Sequence, residues 1–467
     1  MQSVRRTIGK AEMKVLLVVP GKKGFSTEGL QSLGIGMIAA VLVRDGHEVT
    51  VFDMTVSDEQ RTLEEMVASA SPDMVGITVV TPLSDYVIGT LIPQIRHLSD
   101  AVVVVGGPHP TACPEHALTA ADVVVRGEGE ETIAELCRCA LSPDGIAGIS
   151  YRRDGQDIHN PPRPFIADLD ALPFPARDLF PDLSRYGGLP SLGSKTVGNI
   201  STSRGCYGLC KFCFNAVFGR KCRFRSAGSV VEEWDLLIRK HGVEVVTVSD
   251  DHFTSSPKRT YEICDMLVKR GLHRVPWTCS NGIRVETASL DMLKAMRAAG
   301  CSAVSFGIES GSDQALEMMG KKITLEKIRT AVNNARSAGI STLSGFFMLG
   351  TPWDTEQSMQ DTIDFARSLP LDFAQFAIAT PYPGTEMYEM VKDIMFDVPF
   401  SEYGTHEGMV YFETEQLSQD IVRKYFSQAY RSFYFRPVMV MRHLRRMLHN
   451  PSVVPVYLRG LKSFIIR

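Results

Sequence analysis

The chain has 467 residues, 44% hydrophobic and 22% charged, with a net charge of −3. That length supports two or three domains with real cores, and so slight a charge excludes the basic footprint of a general nucleic-acid binder. No run of 18 apolar residues predicts a spanning helix, residues 1–10 lack the apolar centre of a secretory signal, and ten cysteines without secretory context point to a reducing cytoplasm.

Residues 13–20 read as a first strand and 34–45 as a helix. Strands follow at 48–53, 74–81, 101–106 and 123–125, then a helix at 131–141. Strands alternating with helices predict a parallel sheet covered on both faces, a doubly wound Rossmann-like domain over 13–150 behind a short tail, 1–12. Ligands bind such sheets at the strand carboxyl ends. Those ends carry Gly34 and Gly36, then Thr78 and Thr81, then Gly106, Gly107 and His109, and last Gly127 and Glu128. Glycines there let backbone amides approach a large ligand. A nucleotide-binding fold fits this stretch nearly as well, although no G-x-G-x-x-G opens the first helix.

Residues 151–193 read as a Pro-rich connector, with Pro161, Pro162, Pro164, Pro173, Pro175, Pro181 and Pro190 breaking any periodic element. Past a strand at 197–202 stand Cys206, Cys210 and Cys213, a C-x3-C-x2-C run in a loop. Three thiols at that spacing can hold three corners of a [4Fe–4S] cluster and leave one iron open. Structural zinc is the chemical rival, but it asks for a fourth ligand, and Cys222 lies nine residues on. Further strands at 243–248, 275–279, 303–308, 342–349 and 372–379 alternate with helices at 229–240, 256–270, 288–299, 325–338 and 358–369. That makes six β/α units over 194–395, short of the roughly 250 residues of a full eight-fold barrel.

The cysteine run, with the aromatic Phe212 before its last member, resembles the signature of radical S-adenosylmethionine enzymes. The resemblance implies a partial (β/α)6 barrel with Cys206, Cys210 and Cys213 as cluster ligands. It implies an open iron that chelates the amino and carboxylate groups of S-adenosylmethionine, and reductive cleavage that releases a 5′-deoxyadenosyl radical. An electron donor such as flavodoxin or ferredoxin follows from it. Candidate S-adenosylmethionine contacts are Phe212, the adjacent acids Asp250 and Asp251 for the amino group, Glu309 and Ser310 for the ribose and methionine parts, and Gly350 beside the adenine. Cys222, Cys264, Cys279 and Cys301 are expected to be packing or surface residues.

Placed before that signature, the first domain resembles a cobalamin-binding domain. The resemblance rests on L-G-I-G around Gly34 and Gly36, G-G-P-H-P-T from Gly106 through His109, and R-G-E-G-E-E-T around Gly127 and Glu128. With Thr78 and Thr81, these are the candidate cobalamin contacts. The D-x-H-x-x-G motif that supplies a cobalt-ligating histidine is absent; Asp45 and His47 begin like it, but Thr50 stands where glycine should. His47 is therefore expected to be structural.

From residue 421 onward there is no Asp or Glu and there are ten Lys or Arg, interleaved with aromatics. The region 396–467 is expected to be basic and helical, packed on the barrel or lying on the inner face of a membrane. The resemblance implies methyl transfer from methylcobalamin to an unactivated carbon of a biosynthetic intermediate, lipid-like or porphyrin-like. The alternatives are an oxidative cyclase or rearrangement enzyme, of the kind of the anaerobic Mg-protoporphyrin monomethyl ester cyclase, and a non-enzymatic cobalamin or iron–sulfur sensor.

Overall fold

The structure is a computed structural model; it describes residues 12–21, 29–56, 62–187, 196–404, 408–449 and 454. Most of the expected N-terminal tail, the end of the connector and the last part of the basic tail lie outside these residues.

The first half is built on one sheet. Strands β1 (Lys14–Val19), β2 (Glu48–Asp53), β3 (Met74–Thr78), β4 (Val102–Gly106) and β5 (Val123–Val125) are parallel. Their order is β2-β1-β3-β4-β5, the flavodoxin-like arrangement with its reversal between β1 and β3. Alternate residues feed two separate cores. Leu16, Val18, Val75, Ile77, Val103 and Val105 pack on one face, while Val15, Leu17, Val19, Met74 and Val104 pack on the other. That period of two explains why each strand reads as an unbroken apolar run. The helix Leu33–Arg44 starts where Ser32 turns its hydroxyl to the Ile35 N–H.

The sheet extends further than the sequence suggests. β6 (Ile149–Arg153) and β7 (Gln156–His159) add antiparallel strands at the β5 edge, so the sheet runs nine residues into the stretch read as connector. Asp154 and Gly155, at φ 51° and 77°, make the two-residue turn between them. Asp-Gly is a strong hairpin signal; the prolines that follow obscure it.

The second half is an open barrel of six parallel strands in sequence order. These are β8 (Val197–Ile200), β11 (Val245–Val248), β12 (Trp277–Ile283), β13 (Cys301–Glu309), β14 (Thr342–Leu349) and β15 (Phe373–Ile378). A small antiparallel ladder, β9 (Ser203–Arg204) with β10 (Arg223–Phe224), closes the neck of the cysteine loop. The helices Ala227–Arg239, Leu290–Ala298, Leu325–Ser337 and Glu356–Ser368 each begin at a Ser or Thr that caps the first turn. Cys264, Cys279 and Cys301 lie buried in the barrel core.

An open barrel leaves two unpaired edges, and both are covered. At β8, Arg177 of the connector donates to the Asn199 carbonyl at 2.6 Å and to Glu233 at 2.7 Å. At β15 the helix Gln419–Tyr434 lies along the strand, with Val422, Ala429 and Phe433 buried against the barrel. This part of the basic tail packs on the protein.

Candidate active site

The cysteine loop projects from the top of the barrel between Gly205 and Cys222. Cys206 is half-buried, Cys210 buried and Cys213 exposed at the rim. The hydrogen bond from Cys213, aided by the Lys321 and Arg284 cations, lowers the Cys210 thiol to about 6 against the opposing effect of burial. Lys321 also meets Glu309 at 2.5 Å. Glu309 holds a left-handed φ of 69°, a conformation that costs energy in a non-glycine residue and collects at functional sites. The loop is pinned from below, where Lys211 N–H donates to the Met319 carbonyl at 3.0 Å. Cys210 and Cys213 open onto a shallow cavity of about 280 Å³ whose wall includes Lys211 and Arg220.

A larger cavity, about 540 Å³, lies between the two halves. One wall is the carboxyl edge of the first sheet: Gly34, Thr78, Gly106, Gly107, Gly127, Glu128 and Gly129. The facing wall comes from the barrel and cysteine loop: Ser201, Arg204, Phe214, Val217, Phe218, Ser249 and Asp251. Leu169, Leu172 and Pro175 of the connector close one side. Asp251 is driven toward its neutral form by burial and by neighbouring Asp250, and accepts from Gly205 N–H at 3.2 Å.

Several expected contacts point elsewhere. Asp250 is buried and occupied, accepting from Thr202 N–H and Oγ1 and from Ser203 Oγ at 2.5–2.6 Å. It anchors the strand-end turn with both of its oxygens engaged. Ser310 is buried against Thr362 and accepts from Ser312 N–H, so it shapes a turn. A Cβ at Gly350 would meet Val422 at 2.7 Å, so this glycine admits the C-terminal helix. Phe212 packs with Ala315, Met319, Trp353 and Met387 beneath the loop. In the first half Gly36 lies against Pro175, and Thr81 begins the helical segment after β3. His109 is buried away from the cavity, with Nε2 2.9 Å from His116 Nδ1 and its ring against Phe400. His47 is structural, its Nδ1 accepting Met13 N–H at 3.3 Å.

Comparison with known proteins fits this two-part construction. Residues 28–137 match the B12 binding domain and residues 200–366 the radical SAM superfamily. An uncharacterized methyltransferase of Pyrococcus horikoshii is 36% identical over 96% of this chain and 98% of its own. The chain belongs to the cobalamin-dependent radical S-adenosylmethionine enzymes. An anaerobic magnesium-protoporphyrin IX monomethyl ester cyclase of Rubrivivax gelatinosus is 28% identical over 84% of this chain and 72% of its own. Among solved structures, the fold is shared with the cobalamin-dependent radical enzyme OxsB (TM-score 0.77, 18% identity, 98% of this chain and 72% of that one). It is also shared with the radical methyltransferase TsrM of Kitasatospora setae (TM-score 0.68, 21% identity, 82% and 78%).

As a member of this family the chain uses a [4Fe–4S] cluster, S-adenosylmethionine and cobalamin, and the residues present suit all three. Three thiols share one loop, and the next cysteine, Cys222, turns its thiol to the Gly205 carbonyl at 3.4 Å. Three ligands suit a cluster with one iron left open, where structural zinc asks for four. The glycine-rich, largely apolar wall of the large cavity suits the face of a broad macrocycle. Sequence reasoning missed Arg204, Arg284 and Lys321, basic residues set around the cysteine loop. Arg284 lies over Tyr207 at 5.3 Å and pairs with Glu286. None belongs to a local pattern that separates it from an ordinary surface charge.

Proposed function

We propose that this enzyme methylates an unactivated carbon of a small biosynthetic intermediate, taking the methyl group from cobalamin and opening the carbon with a 5′-deoxyadenosyl radical. The observation that carries the reading is the single cavity walled on one side by the glycine edge of the cobalamin half and on the other by the cysteine loop. When bound, the cofactors supply the radical and the methyl group. The chain's own residues bind, orient and exclude water. Cys206, Cys210 and Cys213 hold the cluster. Asp251, on the cavity wall, and Glu309, paired with Lys321 beside the cysteines, are the polar groups placed to orient S-adenosylmethionine. Gly34, Thr78, Gly106, Gly107, Gly127 and Gly129 present a low, smooth wall to cobalamin.

An acidic one-electron carrier such as flavodoxin or ferredoxin fits the rim where Cys213 is exposed between Lys211 and Arg220. The enzyme works in the cytoplasm. Among the described residues no helix is long and apolar enough to cross a membrane. The helix Pro437–His449 instead offers peripheral contact. Met439 and His443 face the protein, while Val438, Met441, Leu444 and Leu448 stand exposed, Leu448 by 80%. Arg442 and Arg446 fasten this helix to Asp372 and Thr342, at the amino ends of β15 and β14. It thus lies at the end of the barrel opposite the cysteine loop. Docked on an anionic bilayer by that face, the enzyme turns its cavity away from the lipid and draws substrate from solution.

The test needs no substrate. The anaerobically reconstituted protein, loaded with reduced cobalamin and given S-adenosylmethionine, is expected to form S-adenosylhomocysteine and methylated cobalamin in equal amounts. Bound cobalamin with 5′-deoxyadenosine and no S-adenosylhomocysteine would replace methyl transfer with the cyclase or rearrangement reading, which the similarity to the cyclases favours. No turnover of S-adenosylmethionine would leave only a sensor.

A further inference from the structure

The acidic turn after β5 does something besides line the cavity. Glu128 accepts from Arg204 Nη1 at 2.7 Å and from Arg223 Nη1 at 2.8 and 2.9 Å. Glu130 accepts from the other terminal nitrogen of Arg204 at 2.5 Å. All four side chains are buried, none more than 8% exposed.

Arg204 and Arg223 are register partners in the two-stranded neck of the cysteine loop. They are the last ladder pair before the chain leaves for Cys206 and the first on its return from Cys213. One carboxylate from the cobalamin half therefore grips both ends of the loop that carries the thiols. Arg223 extends the grip by donating to the Ile166 carbonyl of the connector at 2.7 Å and to the Phe218 carbonyl of the loop at 2.8 Å. The turn is itself held, since Gly127 N–H donates to Thr111 Oγ1 at 3.0 Å. Forked, fully desolvated guanidinium–carboxylate pairs fix direction as well as distance. Ordinary loop packing needs no such buried charge.

We propose that Glu128, Glu130, Arg204 and Arg223 form a clasp that sets the spacing and orientation of the cluster loop relative to the cobalamin seat. The four are positioning residues. Glu128, Glu130 and Arg204 also stand on the cavity lining, and the four together join the two walls between which the reaction must occur. This rests on the cofactor reading given above.

The experiment compares wild type, E128Q, E130Q and R204K after anaerobic reconstitution. Its readouts are iron and cobalamin content and the magnetic interaction between cob(II)alamin and the reduced cluster by electron paramagnetic resonance. Glutamine keeps size and removes charge; lysine keeps charge and loses the fork. The expected result is iron and cobalamin content within twofold of wild type, a weakened or broadened spin–spin interaction, and a drop of at least tenfold in S-adenosylhomocysteine formation, with R204K intermediate. Full loading with an unchanged interaction in all three variants would overturn the clasp while leaving the cofactor reading intact. E130Q removes one charge and leaves Glu128 on both arginines, so it decides the matter if E128Q does not fold. A wild type that takes up cluster but no cobalamin would end the cofactor reading, and the clasp with it.

Discussion

Tyr430 places its hydroxyl on the backbone of Phe376, donating to the carbonyl oxygen at 2.9 Å and accepting from the amide N–H at 3.2 Å. Tyr434, one helical turn on, does the same for Ala374 at 2.8 and 3.1 Å. These are the ladder groups that β15 exposes as the last strand of an open barrel. Two side chains thus stand in for a missing strand, and the edge is closed to pairing with another chain.

Tyr430→Phe and Tyr434→Phe should each leave one buried carbonyl and one buried amide unpaired. Each is expected to lower stability by about 1–3 kcal/mol, read as a shift in the urea midpoint. Iron and cobalamin content should stay at wild-type levels, because the substituted groups lie on the barrel's outer edge. The double variant is expected to aggregate on storage where the single variants do not.

The neck of the cysteine loop gives a sharper case. Gly205 has φ 83°, and a Cβ there would lie 2.6 Å from the Lys221 carbonyl oxygen and 2.9 Å from that of Gly219. Both obstacles are backbone, so no rotamer change relieves them. Gly205→Ala should move Cys206 off its position and reduce iron incorporation at least tenfold, while cobalamin still binds. Equal loss of both cofactors would mean that the damage is global.

The buried imidazoles make a pH prediction. His109 is lowered to about 4 by burial and then by His116, with Asp85 opposing. A histidine lowered on folding binds its proton more readily in the unfolded chain, so its effect is nil above pH 6.5 and grows as pH falls toward 4. That single group accounts for roughly 3 kcal/mol of lost stability at the acid end. His252 and His443, both about 4 mainly through burial, add in the same direction. His109→Gln should flatten the fall in urea midpoint between pH 6.5 and 4. An unchanged slope would show that His109 does not contribute to acid lability.

The sequence carried the strand plan because each parallel strand is buried on both faces and reads as a block of Val, Ile and Leu, as in β1 and β4. It carried the cysteine loop because three thiols fall within eight residues. What escaped it acts across distance. Glu128 and Arg223 are 95 positions apart, Arg177 and Glu233 56, Tyr430 and Phe376 54. No local period joins such pairs. His109 misled for a related reason: the turn after a strand is where ligands bind, but which side of the turn a side chain takes depends on the packing of Phe400, nearly 300 residues later.

Asp250 and Asp251 separate most clearly under substitution, because neighbours of one chemical type face opposite ways. Asp250 holds Thr202 N–H, Thr202 Oγ1 and Ser203 Oγ, with the Arg259 guanidinium 4.0 Å away. Asn at 250 would turn an NH2 group toward these donors and leave Arg259 without its counter-charge. A loss of about 3–5 kcal/mol is expected from breaking a buried charged pair, with cluster loading falling as the β8 turn loosens. Asp251 accepts from Gly205 N–H and stands on the cavity wall. Asp251→Asn should therefore shift the urea midpoint by less than about 1 kcal/mol and keep its iron. It should bind S-adenosylmethionine roughly tenfold more weakly, the scale of one charge-assisted hydrogen bond, measured by calorimetry on the reconstituted protein. If the two variants exchange phenotypes, the amino group of S-adenosylmethionine belongs to Asp250 after all.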